Sequence, residues 1–581
     1  MTIRAMGEQG RIGRLLLHHL WQNGLRWLHG GPLFRWQPFA GTPSRLLIAP
    51  RTCAPPTRPM PSIYTAAASS SPVRWSRPEA VPLRTEGEDP AWQRELHSFG
   101  WLRDLRAAES LVARQNARAL VDDWIRLCGR WDPIAWEQPV VARRVLSWLA
   151  QSPLVLEDGD AEFYRRFLRS LGRQVRYLRR TINETPDGVP RLQAALAVAA
   201  ASISMAGQGR YVRQSLRRLE HELQRQIMPD GGHVSRNPGA ILDILTDLLP
   251  IRQAFVTQGL ETPAGMMQAI DRMMPMVRFF RHVDGAFAHF NGMGSTPTDL
   301  VATILAYDDA RGAPPGNAPF SGYQRLMGGD TVVLMDTGTP PPPLLSESAH
   351  AGCLSLEMSS GRHRLVVNCG VSGWASDGWR QVARSTAAHS TAGMEDSSSC
   401  RFLTEKPFTG WLGSPILTGP TSVPVNREED AMGTRVTASH DGYAHRYNVL
   451  HERDIRLSSD GSVLDGIDLF STLGALTHHD HFTIRFHLHP LIKPSLLRAG
   501  TCSAADGARW RSLEFNASGA ELVLEESVYL SDVYGHRRTQ QLVLYGRISQ
   551  SSQAAWQFRR TAGARNVRRE RSTAEEPELP L

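Results

Sequence analysis

Lysine is almost absent from this chain of 581 residues, because only Lys406 and Lys493 occur among 65 basic residues. The arginines that produce the formal net charge of +8 are spread along the chain. The sequence has no dense basic run with interleaved aromatic residues, so it does not indicate nucleic-acid binding. A basic surface of this kind still favours an anionic partner.

Cysteine is also sparse, with six residues and no CxxC pair. That pattern gives no support to a zinc-finger or thioredoxin-like protein, and it is too thin for a disulfide scaffold. We expect most of these thiols to be free and buried. The cysteines are Cys53, Cys128, Cys353, Cys369, Cys400 and Cys502.

Familiar enzyme motifs are missing as well: the chain has no GxSxG, GxGxxG or HExxH sequence and no Walker A lysine. No run of about 18 apolar residues occurs, so a membrane-spanning helix is not expected. An apolar cluster from Ile12 to Trp21 follows Arg4 and Arg11. Polar residues interrupt this cluster, and no clean signal-peptide cleavage site follows it.

The length of the chain predicts two or three domains. Residues 1–90 are rich in proline and serine, and we expect a loop-rich leader and linker there. Residues 91–315 have helical periodicity, residues 316–560 have strand periodicity, and the charged residues 561–581 are expected to be a disordered tail. The change from helices to strands is expected between about Arg311 and Gly322.

Apolar residues of the first region recur at three- and four-residue steps, as in Val212, Leu216, Leu219 and Leu223. Such helices must bury their apolar faces against one another, in a bundle or an α/α-toroid, and periodicity does not choose between the two. Strands without intervening helices in the second region predict an antiparallel β-sandwich. The expected fold class is therefore multidomain α+β.

The loop at residues 229–238 reads PDGGHVSRNP and places His233, Arg236 and Asn237 between two predicted helices. Loops between regular elements commonly carry functional residues. Asn237 before Pro238 is also typical of a helix N-cap, and a capping role does not exclude a functional one.

Polar stretches with histidine recur through the rest of the chain, and most of them lie in the strand-rich region. Each stretch taken singly is more often structural than functional, so their accumulation is the stronger signal. They are HFNGMG at 289–294, SESAH at 346–350, AHST at 388–391, SHDGY at 439–443 and HHDH at 478–481.

Three segments of the strand-rich region carry a family resemblance. GYQRL at 322–326, SAHAGCLSLEMSSGRHRLVVNCG at 348–370 and AAHST from Ala387 resemble the β-domain of heparinase II/III-like polysaccharide lyases. The upstream PDGGHVSRNP and its helical surroundings resemble the toroid domain of the same family. The resemblance covers roughly residues 90–550. It implies an N-terminal α/α-toroid, an incomplete barrel of helical hairpins, followed by a β-sandwich.

The resemblance also implies β-elimination on a polysaccharide that contains uronic acid. This reaction needs a group that offsets the carboxylate charge, a base for the C5 proton and an acid for the leaving O4. By resemblance, Asn237 is the neutralising group, and His389 and His350 are the histidines of the β-domain. The expected substrate contacts are His233, Arg236, Asn291, Trp374 and Trp379.

No cofactor is required for this chemistry. Some members of the family hold a structural metal in the β-domain, and a divalent ion such as zinc or calcium would have Asp396 and His440 as its ligands here. The catalytic tyrosine of the family has no counterpart in the toroid, where this chain reads HFNGMG. His289, whose imidazole is a competent base near neutral pH, and Tyr443 are the two expected replacements. Where the family often has the sequence HAD, this chain has HAGC at residues 350–353.

Two other functions remain open on the sequence. One is a non-catalytic glycan-binding protein on the lyase scaffold, which takes part in handling a surface polysaccharide. The other is a glycoside hydrolase, but that needs carboxylates about 5–10 Å apart, and the toroid motifs hold no such pair. The expected partner is an anionic polysaccharide. The family implies the periplasm or cell envelope, and the lack of a clean signal peptide leaves the cytoplasm open.

Overall fold

The protein is described by a computed structural model that covers residues 3–30, 43–51, 53, 89–129, 131–308, 312–372, 376–474, 479–498, 501–506, 512–532 and 535–561. Trp374, His478, the predicted tail beyond residue 561 and most of the predicted linker lie outside these described residues. No helix within the described ranges combines the length and the apolar character that crossing a membrane requires.

Helices make up the first half of the chain. Residues 1–90 were expected to be loop-rich, but a 28-residue helix begins there and packs against both regions of the protein. The helices are α1 Ile3–Gly30, α2 Pro90–Ser98, α3 Leu102–Ala107, α4 Leu111–Leu127, α5 Gln138–Ala150, α6 Ser152–Leu156, α7 Ala161–Thr181, α8 Val189–Ser204, α9 Gly209–Gln226, α10 Pro238–Thr257, α11 Ala264–Phe279 and α12 Thr298–Leu305.

Helix α8 lies at the centre of this helical region. Its sequence is rich in alanine and is buried on almost every side, so α5, α9 and α10 can all approach its backbone closely. Helix α10 begins at Pro238, and the side chain of Asn237 accepts a hydrogen bond from Gly239 N at 2.8 Å. The expected N-cap is therefore present, and it fixes the place of Asn237 at the start of α10.

Strands make up the second half, and the change from helices to strands lies between Leu305 and Asn317. The strands are β1 Asn317–Ala318, β2 Tyr323–Gly328, β3 Thr331–Asp336, β4 Leu356–Ser360, β5 His363–Val367, β6 Ala392–Met394, β7 Arg401–Phe402, β8 Ile416–Thr418, β9 Val425–Asp430, β10 Gly433–His440, β11 Val449–Ser458, β12 Val463–Thr472, β13 His481–Leu488, β14 Ile492–Arg498, β15 Thr501–Asp506, β16 Ser512–Ser518, β17 Glu521–Tyr529, β18 Arg537–Arg547 and β19 Gln553–Thr561. Three short helices interrupt them: α13 Asp377–Arg384, α14 Phe408–Leu412 and α15 Ala444–Tyr447.

Among the described residues the strands form two large antiparallel sheets. One has nine strands in the order β1-β2-β3-β4-β5-β13-β18-β17, with β6 also paired to β13. The other has eight strands in the order β14-β15-β16-β19-β12-β11-β10-β9. The expected order of helices first and antiparallel sheets second is confirmed, while the incomplete α/α-toroid and the sandwich geometry stay predictions.

Strand β3 shows how the layers are stacked. Its six residues, TVVLMD, are all buried. Val332 and Leu334 belong to the core of the helical region, whereas Val333 and Met335 belong to the core that the two sheets share. A strand that is buried on both faces lies between two layers, so the nine-stranded sheet lies against the helices at this strand. Polar residues at its ends therefore meet the loops of the helical region.

Candidate functional site

A buried ion pair joins the helical region to the nine-stranded sheet. Arg236, just before α10, pairs with Asp336 at the end of β3, and both side chains are almost completely buried. The remaining Arg236 donors bind the carbonyl oxygens of residues 321, 322, 338 and 339. Burial opposes the charge, but Asp336 outweighs it and raises the pKa of Arg236. All five donors are used within the protein, so the substrate contact expected of Arg236 stays a prediction.

Asn291 is the second link across this junction. Its Nδ2 donates to the hydroxyl of Tyr323 at 2.8 Å and to Asp336 Oδ2 at 3.0 Å, and its Oδ1 accepts from His350 N at 3.2 Å. The hydroxyl of Tyr323 donates to Arg236 O at 2.5 Å. Because every polar atom of the Asn291 side chain is paired, Asn291 fixes the position of the His350 backbone.

Asn237 lies beside the same junction and is partly exposed. Its Oδ1 is used by the N-cap, but its Nδ2 has no hydrogen-bond partner among the residues that the structure describes. A Cβ added at Gly292, whose φ is 91°, would lie 3.3 Å from this Nδ2 and 2.7 Å from Ser348 O. Glycine at 292 therefore lets the Asn237 amide come close to the segment that leads to His350.

His233, in the same loop, lies deeper. Its Nδ1 lies 2.7 Å from Ser235 Oγ and its Nε2 lies 3.0 Å from Gln226 Oε1. Burial lowers the pKa of His233 to about 4, so the ring is neutral at pH 7. These contacts order the loop before α10, and the predicted contact of His233 with substrate stays a prediction.

His350 and His389 form a buried pair. The Nδ1 of His350 lies 2.9 Å from the Nε2 of His389, and the Nδ1 of His389 lies 2.7 Å from Ser385 O. A carbonyl oxygen only accepts, so the His389 Nδ1 carries a proton. A neutral His389 must then accept at Nε2 from the protonated Nδ1 of His350. This leaves the Nε2 of His350 as an unprotonated nitrogen, with no partner in the described part of the chain.

Both rings of the pair are uncharged at neutral pH. Burial, then the neighbouring His389 and Arg384, holds the pKa of His350 well below its ordinary value. Burial also lowers the pKa of His389 to about 4. A Cβ on Gly352 would lie 2.7 Å from the His389 ring, so the absence of a side chain there makes room for the imidazole. The pair can supply a bare basic nitrogen without an adjacent carboxylate.

Arg453 binds the backbone of the loop that carries His389. Its guanidinium is fully buried, pairs with Asp468, and donates to Leu354 O and Ser390 O at 2.9 Å each. His451 Nε2 also binds Asp468, at 2.7 Å. Arg453 therefore fixes the backbone on both sides of the pair, next to Cys353 and next to His389.

Among the described residues, the two candidates for the missing tyrosine have no hydrogen bond or ring contact with this pair. His289 is 1% exposed, and its ring lies between Glu357, Arg364 and Tyr529. Burial lowers the pKa of His289 to about 4. Tyr443, also 1% exposed, lies in the core between the sheets and donates to Ala392 O at 2.9 Å. Their roles in proton transfer stay predictions, as does the role of His350.

Asp396 and His440 do not share a ligand set. Asp396 is exposed and pairs with Arg485. His440 is buried: its Nδ1 accepts from Gly442 N, and its Nε2 lies 3.2 Å from His451 Nδ1. Both nitrogens of His440 have protein neighbours, and the metal site expected at these two residues stays a prediction. Within the described ranges, three other side chains have ligand atoms within 4.8 Å of one another: Glu395, Asp480 and His481.

Trp379 lies on α13 and is 39% exposed, with its ring stacked on His536 at 5.6 Å between centroids.

Tyr323, Asp336 and Ser385 were not singled out by the sequence analysis, although they position the predicted residues. A signal was present for Asp336, because an aspartate that directly follows four apolar residues of a strand is expected to have a partner. Ser385 acts through its carbonyl oxygen, which no sequence pattern reveals.

Comparison with known proteins decides the family. Residues 310–559 match the family model described as heparinase II/III-like, C-terminal. The FtsZ-localized protein C of Caulobacter vibrioides (strain NA1000 / CB15N) is 32% identical over 434 residues, which cover 72% of this chain and 73% of that protein. The chain belongs to the heparinase II/III-like family. The resemblance seen in the sequence is thus confirmed.

Solved structures agree with this family in fold. Heparinase III superposes with a TM-score of 0.68 at 13% identity, covering 96% of this chain and 92% of that one. The heparan sulfate lyase HepC of Pedobacter heparinus, as a mutant, has a TM-score of 0.62 at 15% identity, covering 88% and 86%. At these identities the likeness shows that this heparinase II/III-like protein has the fold of heparinase III.

Proposed function

We propose that the junction of the two regions binds a polysaccharide that contains uronic acid and cleaves it by β-elimination. The observation that carries this proposal is that two side chains at the junction each keep one atom without a hydrogen-bond partner among the described residues. The amide Nδ2 of Asn237 and the bare Nε2 of His350 both belong to the junction that Asn291 and Gly292 hold together. One can donate to a carboxylate, and the other can accept a proton.

In the proposed reaction, Asn237 Nδ2 donates to the uronate carboxylate and so makes the C5 proton more acidic. His350 Nε2 takes that proton, a double bond forms between C4 and C5, and the bond from C4 to O4 breaks. The His350 imidazolium then returns its proton to O4 when the leaving oxygen lies on the same face as the C5 proton. His389 accepts from His350 Nδ1 throughout, and so orients the ring.

A second candidate function is binding of the same polymer without cleavage. Two observations favour it: a relative named for its localisation with FtsZ, and the burial of His289 and Tyr443. In this alternative the junction is a glycan-binding surface of a protein that is localised with FtsZ. The choice between the two functions also decides the expected compartment. The lyase function fits the periplasm or cell envelope expected from the family.

The test is incubation of the purified full chain with heparan sulfate, hyaluronan, alginate and polygalacturonate. An increase in ultraviolet absorbance from unsaturated uronate ends supports the lyase. Binding of one polymer by calorimetry, without unsaturated ends and without new reducing ends, supports the second candidate. Co-localisation of a fluorescent fusion with FtsZ then tests the site of action.

A further inference from the structure

The last residue of helix α13 and the two residues after it form a segment, Arg384 to Thr386, that binds the backbone around His350. Arg384 Nε donates to Ala349 O at 2.8 Å. Ala351 N donates to Arg384 O at 2.8 Å, and Thr386 Oγ1 donates to Ala351 O at 2.7 Å. The residues on both sides of His350 are therefore held by the Arg384–Thr386 segment.

The same segment orients the second histidine of the pair. Ser385 O accepts from His389 Nδ1 at 2.7 Å, and His389 N donates to Thr386 O at 3.0 Å. Because the proton of a neutral His389 is then on Nδ1, its Nε2 accepts from His350 Nδ1. The Arg384–Thr386 segment thus also determines which nitrogen of His350 is unprotonated.

Arg384 is a buried cation that binds carbonyl oxygens instead of a carboxylate. Its side chain is 4% exposed, and its Nη1 and Nη2 donate to Ser414 O at 2.7 Å and to Ser346 O at 2.8 Å. The guanidinium lies 4.4 Å from the centre of the Phe402 ring, and it has no ion pair with a carboxylate among the described residues. Burial lowers the pKa of Arg384 to about 10, so the group is still charged at pH 7. A buried charge without a counter-charge is costly, which calls for a reason to keep it.

We propose that the Arg384–Thr386 segment is the positioning element of the histidine pair, and that the Arg384 charge keeps His350 unprotonated and able to act as a base. This inference rests on the proposed lyase function. A purely structural role of Arg384 needs only its hydrogen bonds to carbonyl oxygens. The proposed role also needs a positive charge beside His350, and the two roles therefore predict different pH dependences.

The charge of Arg384 acts directly on the His350 ring. Burial is the largest cause that holds the pKa of His350 below its ordinary value, followed by His389 and then by Arg384. Asp336 and Glu357 act on His389, where both carboxylates oppose the lowering of its pKa. Loss of the Arg384 charge therefore raises the pKa of His350. The neutral ring is then lost at a higher pH when the solution is acidified.

The pH–rate profiles of variants on an accepted polymer test the proposal. Arg384→Met should lower kcat ~10–10²-fold with KM almost unchanged, because it releases the backbone around the base. It should also move the acidic fall in kcat to higher pH by about one unit. Arg384→Lys keeps the charge, so kcat should be lower while the acidic fall stays in place. Thr386→Val removes a neutral donor and should likewise lower kcat without moving the acidic fall.

Arg325→Met is the matched control. Arg325 is also buried, burial lowers its pKa to about 10, and its Nη1 donates to Phe279 O and Arg281 O at 2.7 and 2.8 Å. Its replacement should lower the stability to urea as Arg384→Met does, but it should leave kcat and the acidic fall like those of the unmodified protein. Identical pH–rate profiles of Arg384→Met and Arg325→Met overturn the proposal.

Nuclear magnetic resonance of the full chain with labelled histidine reads the His350 ring without turnover. The His350 signal is assigned by its loss in His350→Gln. It should titrate at a higher pH in Arg384→Met than in the unmodified protein or in Arg325→Met. If no polymer is cleaved but this difference is present, the lyase function fails and the positioning role stands. If a polymer is cleaved but His350 titrates alike in all three proteins, the positioning role fails and the lyase function stands.

The milder variants decide the case in which Arg384→Met does not fold. Full kcat in Thr386→Val, or an acidic fall that moves to higher pH in Arg384→Lys, then overturns the proposal. A lower kcat in both variants with the acidic fall unmoved supports it.

Discussion

The Nδ1 atom of His350 lies 2.9 Å from the Nε2 atom of His389, and the second nitrogen of His389 is bound to Ser385 O. The two histidines are therefore not equivalent. His389 has both nitrogens committed inside the protein and orients its partner. Among the described residues, the Nε2 of His350 has no hydrogen-bond partner, and neither has the Nδ2 of Asn237 at the same junction. The first predictions test this division of roles.

Replacement of His350 should affect turnover more than binding. On an accepted polymer, His350→Gln should lower kcat by ~10²-fold or more, because a general base typically contributes ~10²–10⁴-fold. His389→Gln should give a smaller loss in kcat with KM almost unchanged. His445→Gln, at an exposed position of α15, is the control and should keep full activity. Full activity of His350→Gln would remove this residue from the mechanism.

The pH dependence of kcat should report a neutral His350. The reaction needs the uncharged ring, and burial keeps the pKa of His350 well below its ordinary value. Activity should therefore stay constant from alkaline pH down through pH 6.5, the ordinary value for histidine, and fall only in more acidic solution. A pH–rate profile of the unmodified protein measures this. A fall in kcat that begins above pH 7 points to a different base.

Gly352→Ala should displace the His389 ring. The added Cβ would lie 2.7 Å from His389 Cδ2, closer than real Cβ contacts. We expect about 1–3 kcal/mol less stability, as for other overpacked sites, together with a loss of activity. Gly209→Ala is the matched control, because a Cβ there meets nothing within 4 Å. Denaturant unfolding and the absorbance assay measure the two effects, and equal behaviour of both variants argues against close packing at Gly352.

Asp336→Asn should weaken the junction of the two regions. It leaves the buried Arg236 guanidinium without its counter-charge, which typically costs about 3–5 kcal/mol. Asp430→Asn removes a carboxylate from an exposed pair with Arg456 and should cost only about 0–1 kcal/mol. Urea unfolding of both variants compares the two losses. A loss for Asp336→Asn as small as that of the control means that Arg236 finds another partner.

The free energy of unfolding should fall as the pH is lowered from 6.5 toward 4. Burial lowers the pKa values of His97, His233, His289 and His389 to about 4 in the folded protein. The unfolded chain therefore binds more protons in this window, so acid favours unfolding. Each such histidine adds up to about 1.4 kcal/mol per pH unit. Urea titrations at several pH values measure the slope, and a flat profile contradicts the prediction.

Much of the fold could be predicted from the sequence, because the signals are local. Helical steps such as Val212, Leu216 and Leu219 repeat within a few residues, and the pattern alone places α9. The N-cap of Asn237 is equally local, since the capping contact reaches Gly239. The expectation of a loop-rich leader is wrong for residues 3–30, where the structure has helix α1.

The candidate site is only partly visible in the sequence. His350 and His389 stood out as histidines in polar stretches, but their hydrogen bond, and hence their unequal roles, did not. His440 stood out for the same reason, although both of its nitrogens bind other groups of the β-region core. The sequence shows where the histidines are. Which ring nitrogen has no hydrogen-bond partner depends on the neighbours that the folded strands bring into contact.

The sequence by itself therefore determined the family and the order of helices and sheets, and it supplied the candidate site residues. Tertiary structure alone decided which of them have a free donor or acceptor. Arg236 and Asp336 are 100 residues apart in the chain, and His350 and His389 are 39 apart. Contacts over such separations leave no periodic trace in the sequence, because they arise only when distant segments of the chain pack together in the folded protein.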